Sequence, residues 1–135
     1  MSELKKILYA EDESDIQIIV ETIIQSLSDY DIKVCNNGRE LLECVDEYSP
    51  DLILLDVMMP EMDGPTTFKN LQESPKTKDI PVVFMTAKAQ VHEVKRLQED
   101  GVIGIITKPF DPVQLCPNIS QIWDEHLRVI AMSQI

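Results

Sequence analysis

Asp51-Leu-Ile-Leu-Leu-Asp-Val-Met-Met-Pro-Glu-Met-Asp-Gly64 is the stretch that decides the fold. Leu52 to Leu55 run without a polar break, too short for a buried helix, and read as a strand covered on both faces. The run stops at Asp56. A carboxylate is costly to hide, so it is expected to emerge at the strand's carboxyl end. Pro60 and Gly64 then break the chain and turn it into a new helix, with Pro65 suited to its first turn and Phe68 and Leu71 facing inward. In open α/β sheets, ligands bind at the carboxyl ends of the strands.

Outward from this stretch, strand and helix alternate. Upstream, Ile7-Leu-Tyr-Ala10 reads as a first buried strand ending at Glu11-Asp12-Glu13. Ser14 and Gln17 match a capping box, and Ile16, Ile19, Val20, Ile23, Ile24 and Leu27 repeat with helical spacing over about residues 14–28. Ile32-Lys-Val-Cys35 reads as the second strand. Asn37 with Glu40 forms another cap, and Leu41, Leu42, Val45 and Tyr48 define a helix that ends before Ser49-Pro50. Downstream, Pro81 to Met85 is the fourth strand, ending at Thr86-Ala87. A helix over about 89–100 follows, with Val91, Val94 and Leu97 as a thin apolar face. Val102 to Ile106 is the fifth strand, ending at Thr107-Lys108-Pro109-Phe110. Asp111, Pro112 and Gln114 then open a last helix, with Val113, Ile119, Ile122, Trp123 and Leu127 on its inner face. The spacing predicts a doubly wound α/β fold with a five-stranded parallel sheet, a flavodoxin-like (βα)5 unit over residues 1–128 and a C-terminal tail over 129–135.

Composition narrows the function classes. The chain has 135 residues, enough for one domain with a real core. Its formal charge of −12 gives no means of gripping phosphate backbones or anionic membranes. It suits solubility and a cation-binding cleft. Cys35, Cys44 and Cys116 are odd in number and form no metal-ligand spacing, which fits a reducing compartment. Neither a signal peptide nor a membrane-length apolar run is present, and a cytoplasmic location is expected.

The strand ends carry the chemistry. Strand one delivers Glu11 and Asp12, strand three Asp56, strand four Thr86 and Ala87, strand five Lys108. A parallel sheet puts all these ends on one edge, and the order 2-1-3-4-5 gathers them at the switch point between strands one and three. Singly, each has a plain reading: an acidic helix start, a turn aspartate, a strand-end hydroxyl, a solvated lysine. Jointly they describe a site. Three close carboxylates repel unless a hard dication such as Mg²⁺ compensates. A lysine and a hydroxyl complete what a transferring phosphoryl group needs, with a carboxylate as acceptor. His92 and His126 read as solvated histidines, and Trp123 as core or rim. Met58, Met59 and Met62 suit either packing or an adaptable partner surface.

Four segments, Tyr9-Ala-Glu-Asp-Glu13, Asp51 to Gly64, Val82-Val-Phe-Met-Thr-Ala87 and Thr107-Lys-Pro-Phe110, resemble the receiver domain of bacterial response regulators, the chemotaxis-regulator-like modules of two-component signalling. The resemblance implies that Asp56 is phosphorylated by a histidine kinase or phosphotransfer protein. It implies that Asp12, Asp56 and the backbone carbonyl of Met58 ligate Mg²⁺, with Glu11 acting through a water. Lys108 would pair with the phosphoryl group, Thr86 would hydrogen-bond it, and the small Ala87 would leave room. The Lys108–Pro109 bond would be cis. Phosphorylation would shift a face made by the fourth helix, fifth strand and fifth helix. That face would bind an output protein, since no effector sequence follows in this chain. Self-phosphorylation and self-dephosphorylation are implied, without a separate enzyme class, and so is a monomer or a phosphorylation-dependent dimer. Two positions depart from the usual pattern: Glu11 replaces the common Asp, and Ile105 replaces an aromatic switch residue. The resemblance places Met58 and Lys88 at the two positions that, in this family, flank the phosphoryl group and influence water access.

Rival readings are a receiver cut from a longer regulator and a binding module that has lost phosphorylation. An aspartyl-phosphate phosphatase would want a carboxylate where Met58 stands. A flavin-binding electron carrier would want a neutral phosphate loop where Glu11-Asp12-Glu13 stands.

Overall fold

The computed structural model describes residues 3–87, His92, Lys95 and 101–133. Strands β1 (Lys6–Ala10), β2 (Asp31–Cys35), β3 (Leu52–Asp56), β4 (Val82–Ala87) and β5 (Gly104–Lys108) form one sheet. Its order is β2-β1-β3-β4-β5, and all four pairings are parallel. Helices α1 (Ser14–Leu27), α2 (Gly38–Tyr48) and α3 (Gly64–Glu73) follow the first three strands, and a C-terminal helix spans Leu115–Ser133.

The sheet has two covered faces because its central strands are apolar on both sides. Every residue of β3 is buried. Ile7, Tyr9, Leu52, Leu54, Val83 and Met85 pack with α1 and the C-terminal helix. Leu8, Ala10, Ile53, Leu55 and Phe84 pack with α2 and α3 on the other face. This period-two division between two core layers is what a doubly wound sheet requires.

Side-chain caps set the starts of α2 and α3. The Asn37 side chain accepts the Glu40 N–H at 2.9 Å, and Asp63 accepts the Thr66 N–H at 2.8 Å. Ser49, in the left-handed region at φ 52°, ends α2. The capping box expected at Ser14 and Gln17 does not form. Glu13 is the N-cap residue of α1 and makes no side-chain cap. The Gln17 amide instead donates to the Glu11 carbonyl and to Asn36 Oδ1, because the preceding loop folds back over the first turn.

Other expectations are corrected too. The fifth strand begins at Gly104, not Val102, and includes Lys108. Pairing with β4 runs from Val83↔Gly104 to Ala87↔Lys108, so Val102 and Ile103 lead into the strand. The helix after it starts at Leu115, since Asp111 caps a preceding turn by accepting the Val113 N–H at 2.9 Å. Val113 therefore lies on the surface, 67% exposed, and not on the inner face. Ile19 and Leu27 are also exposed. The segment 129–135 set apart as a tail is helical through Ser133 and extends the last helix. The helix expected over 89–100, with Val91, Val94 and Leu97, lies outside the described residues except for His92 and Lys95, which are helical and exposed. Lys88 also lies outside them. No described helix is long and apolar enough to cross a membrane.

Candidate functional site

β1 and β3 are neighbours, so the residues leaving their carboxyl ends meet. Glu11, Asp12 and Asp56 each offer a carboxylate oxygen, and these oxygens lie within 4.8 Å of one another. Asp56, the last residue of β3, is buried. Its Oδ1 is 2.7 Å from Lys108 Nζ, delivered by β5. The same ammonium is 3.2 Å from Glu11 Oε1. One lysine thus bridges two buried carboxylates that the sheet order brings together. Asp12 lies exposed at the rim.

Burial pushes the Asp56 carboxyl up to about 6, with the charges of Glu11 and Asp12 adding to the rise and the hydrogen bond and charge of Lys108 opposing it. Burial works against the Lys108 ammonium too. The Asp56 and Glu11 carboxylates outweigh it together and hold Lys108 above the ordinary lysine value. Two carboxylates and a rim aspartate against one amine leave the cluster net negative. Oxygen donors this close, with charge to spare, fit a hard divalent cation.

The positions of the remaining residues follow from the strands. Thr86 is buried near the end of β4, and among the described residues its hydroxyl makes one hydrogen bond, a long one of 3.4 Å to the Ala87 carbonyl. No hydrogen bond joins Thr86 to Asp56 here. Ala87 stands opposite Lys108 in the β4–β5 register. The Met58 side chain is 62% exposed on the loop after β3, whereas Met59 is buried in the core. Ile105 is half-buried and packs against the α2–α3 side of the sheet. The Lys108–Pro109 bond is cis, as expected. His126 lies against Trp123 and takes no part in the site.

Tyr9 was missed. Its hydroxyl, deep in the core, donates to Glu11 Oε1 at 3.1 Å, and the Glu13 N–H donates to Glu11 Oε2 at 3.2 Å. Both oxygens of the fully buried Glu11 are therefore engaged by the protein. Tyr9 shares a strand face with Glu11 two residues on, and that spacing was the available signal. The sequence marks Gly64 only as a turn residue. A Cβ there would stand 2.6 Å from the Asp56 carbonyl and 2.9 Å from Val57 Cα, so α3 starts hard against the acidic loop.

A sequence profile described as "Response regulator receiver domain" matches residues 7–120. The chain belongs to this family of two-component receiver domains, in which a phosphoacceptor role is typical. It is 38% identical over 111 residues to the "Probable transcriptional regulator ycf27" of Galdieria sulphuraria, covering 82% of this chain and 42% of that one. Among solved structures it resembles the chemotaxis response regulator CheY4 of Vibrio cholerae, with TM-score 0.80 and 25% identity over 89% of this chain and 99% of that one. It also resembles the receiver domain of a signal transduction histidine kinase from Syntrophus aciditrophicus, with TM-score 0.77 and 31% identity over 90% and 91% of the two chains. The chain spans about half the length or less of the curated relatives it matches.

Proposed function

We propose that Asp56 is the phosphoacceptor of this receiver, taking a phosphoryl group from the phosphohistidine of a histidine kinase or phosphotransfer protein. The observation that carries this is the buried Asp56 held 2.7 Å from Lys108 within a three-carboxylate cluster. Asp12, Asp56 and the Met58 backbone carbonyl would hold Mg²⁺, with Glu11, whose oxygens the protein already engages, acting through a water. When bound, the cation supplies positive charge that offsets the repulsion among carboxylates and phosphoryl oxygens. An Asp56 oxygen attacks phosphorus as the bond to the donor imidazole breaks. Lys108 exchanges the carboxylate for a phosphoryl oxygen, keeping its charge paired throughout. The Thr86 hydroxyl, weakly held on the Ala87 carbonyl, turns to donate to another oxygen, and the small Ala87 side chain leaves space beside it.

The same site is read as supporting self-phosphorylation from small acyl phosphates and self-dephosphorylation, with no separate enzyme class. The receiver unit is taken as residues 1–128, with 129–135 as a C-terminal tail whose first part, through Ser133, continues the last helix. The output partner is taken to bind the face of the 89–100 segment, β5 and the C-terminal helix. The protein acts in the cytoplasm, without direct contact to nucleic acid or membrane, as a monomer or a phosphorylation-dependent dimer. The length of the ycf27 relative favours one further reading, that this receiver works within a longer regulator.

Intact mass after incubation with acetyl phosphate and Mg²⁺ tests the proposal. One phosphoryl adduct on the wild type, absent in Asp56→Asn and absent when the cation is chelated, is expected. An adduct that survives Asp56→Asn would overturn the assignment.

A further inference from the structure

Cys35 and Cys44 belong to no part of the acidic site. Cys35 is the last residue of β2 and is buried. Cys44 lies on α2 and is half-buried. Their sulfurs stand 3.4 Å apart, facing each other across the β2–α2 turn. A disulfide places its sulfurs about 2.05 Å apart, so this pair, already in contact, would close by about 1 Å. The third cysteine, Cys116, is buried on the C-terminal helix, in the core layer on the opposite face of the sheet.

We propose that Cys35 and Cys44 form a thiol-modification site, which a low-molecular-weight disulfide of the glutathione class converts to an intramolecular disulfide. The order of attack follows from access and charge. Burial raises the Cys35 thiol, and its hydrogen bond to Cys44 and the Cys44 and Glu40 charges raise it further, with Lys33 opposing. Cys35 is therefore a poor first nucleophile, and the more accessible Cys44 meets the oxidant. The Cys44 thiolate attacks one sulfur of the small disulfide. A mixed disulfide forms, and one small thiol leaves with the proton that Cys44 gave up. Held against Cys44, the Cys35 thiol gives up its proton and attacks Cys44 Sγ, the protein disulfide forms, and the second small thiol leaves with that proton. Two protein thiols are oxidised and one small disulfide is reduced to two thiols.

The bond would tie the end of an edge strand to the helix that follows it. The Cys35 carbonyl accepts the Glu11 N–H at 3.0 Å, and Ala10 stands opposite Cys35 in the β1–β2 register. The cross-link thus fixes the strand end on which the backbone of the acidic loop rests.

The test uses the full chain, reduced, desalted, exposed to oxidised glutathione, alkylated and then mapped with trypsin. Cleavage after Arg39 separates the two cysteines, so a linked peptide pair reports the bond directly. A loss of two hydrogens, no retained glutathione, linked Cys35 and Cys44 peptides and an alkylated Cys116 are expected. Cys35→Ser is expected to trap glutathione on Cys44, and Cys44→Ser to leave Cys35 free. Wild type that keeps glutathione on Cys44, or keeps all three thiols alkylatable, would overturn the proposal, and neither result depends on how a variant folds.

Discussion

At the scale of single residues, Asp56 sets the energetics of the site. Its folded pKa of about 6 lies above the value near 3.9 that an unfolded chain would give it. Between those values the folded state holds more protons than the unfolded one, so stability falls as pH rises through the window. Above pH 6 the ionised carboxylate costs the metal-free fold about 2–3 kcal/mol. Asn mimics the protonated carboxyl. Asp56→Asn is therefore expected to exceed wild type by about that amount in urea unfolding at pH 7.5 without cations. The gap should close as pH drops towards about 4. A constant gap across pH would mean that Asp56 repulsion is not its source. On the proposed function, Met58 bears on a different step, loss of the phosphoryl group. Its side chain is exposed on the loop after β3, and a thioether is a weak acceptor with no donor to orient a water. Met58→Asn is expected to speed loss of the phosphoryl group several-fold, read as the decay of the phosphorylated mass; an unchanged decay would remove Met58 from the water path.

At the scale of elements, the contact between α3 and the end of β3 is a close joint beside the site. The Gly64 N–H donates to the Val57 carbonyl at 2.9 Å, and the backbone on either side leaves no room for a methyl group. Gly64→Ala is expected to cost about 2 kcal/mol in urea unfolding, by displacing either α3 or the Asp56 carbonyl. A cost below about 0.5 kcal/mol would show that the joint yields freely. The sequence made the elements legible where pattern and punctuation agree. The unbroken Leu52–Leu55 run, the Asn37 cap and Pro65 all led to the observed boundaries. It was less legible at β5. There the apolar run Val102–Ile106 starts before the strand, while register with β4 carries the strand on to Lys108. Burial pattern sees side chains, and register is set by backbone pairing between distant segments. The site shows the same split. Glu11, Asp12, Asp56 and Lys108 follow from strand ends, whereas the Tyr9 bond to Glu11 depends on where a core hydroxyl points.

At the scale of the whole molecule, the charge of −12 is a uniform load on the compact state. Self-repulsion of this kind weakens as salt screens it. The melting temperature of the metal-free protein is expected to rise by a few degrees between about 20 and 200 mM sodium chloride. A flat or falling response would mean that local ion pairs such as Lys108–Asp56 dominate instead. Lys108 and Glu11 touch across 97 residues of sequence, so the cation that balances the acidic cluster is among the last parts of the site to leave the ribosome. A prematurely terminated product that stops short of residue 104 carries the acids without their amine and leaves β4 as a bare sheet edge. Such a fragment is disposed to clearance or aggregation.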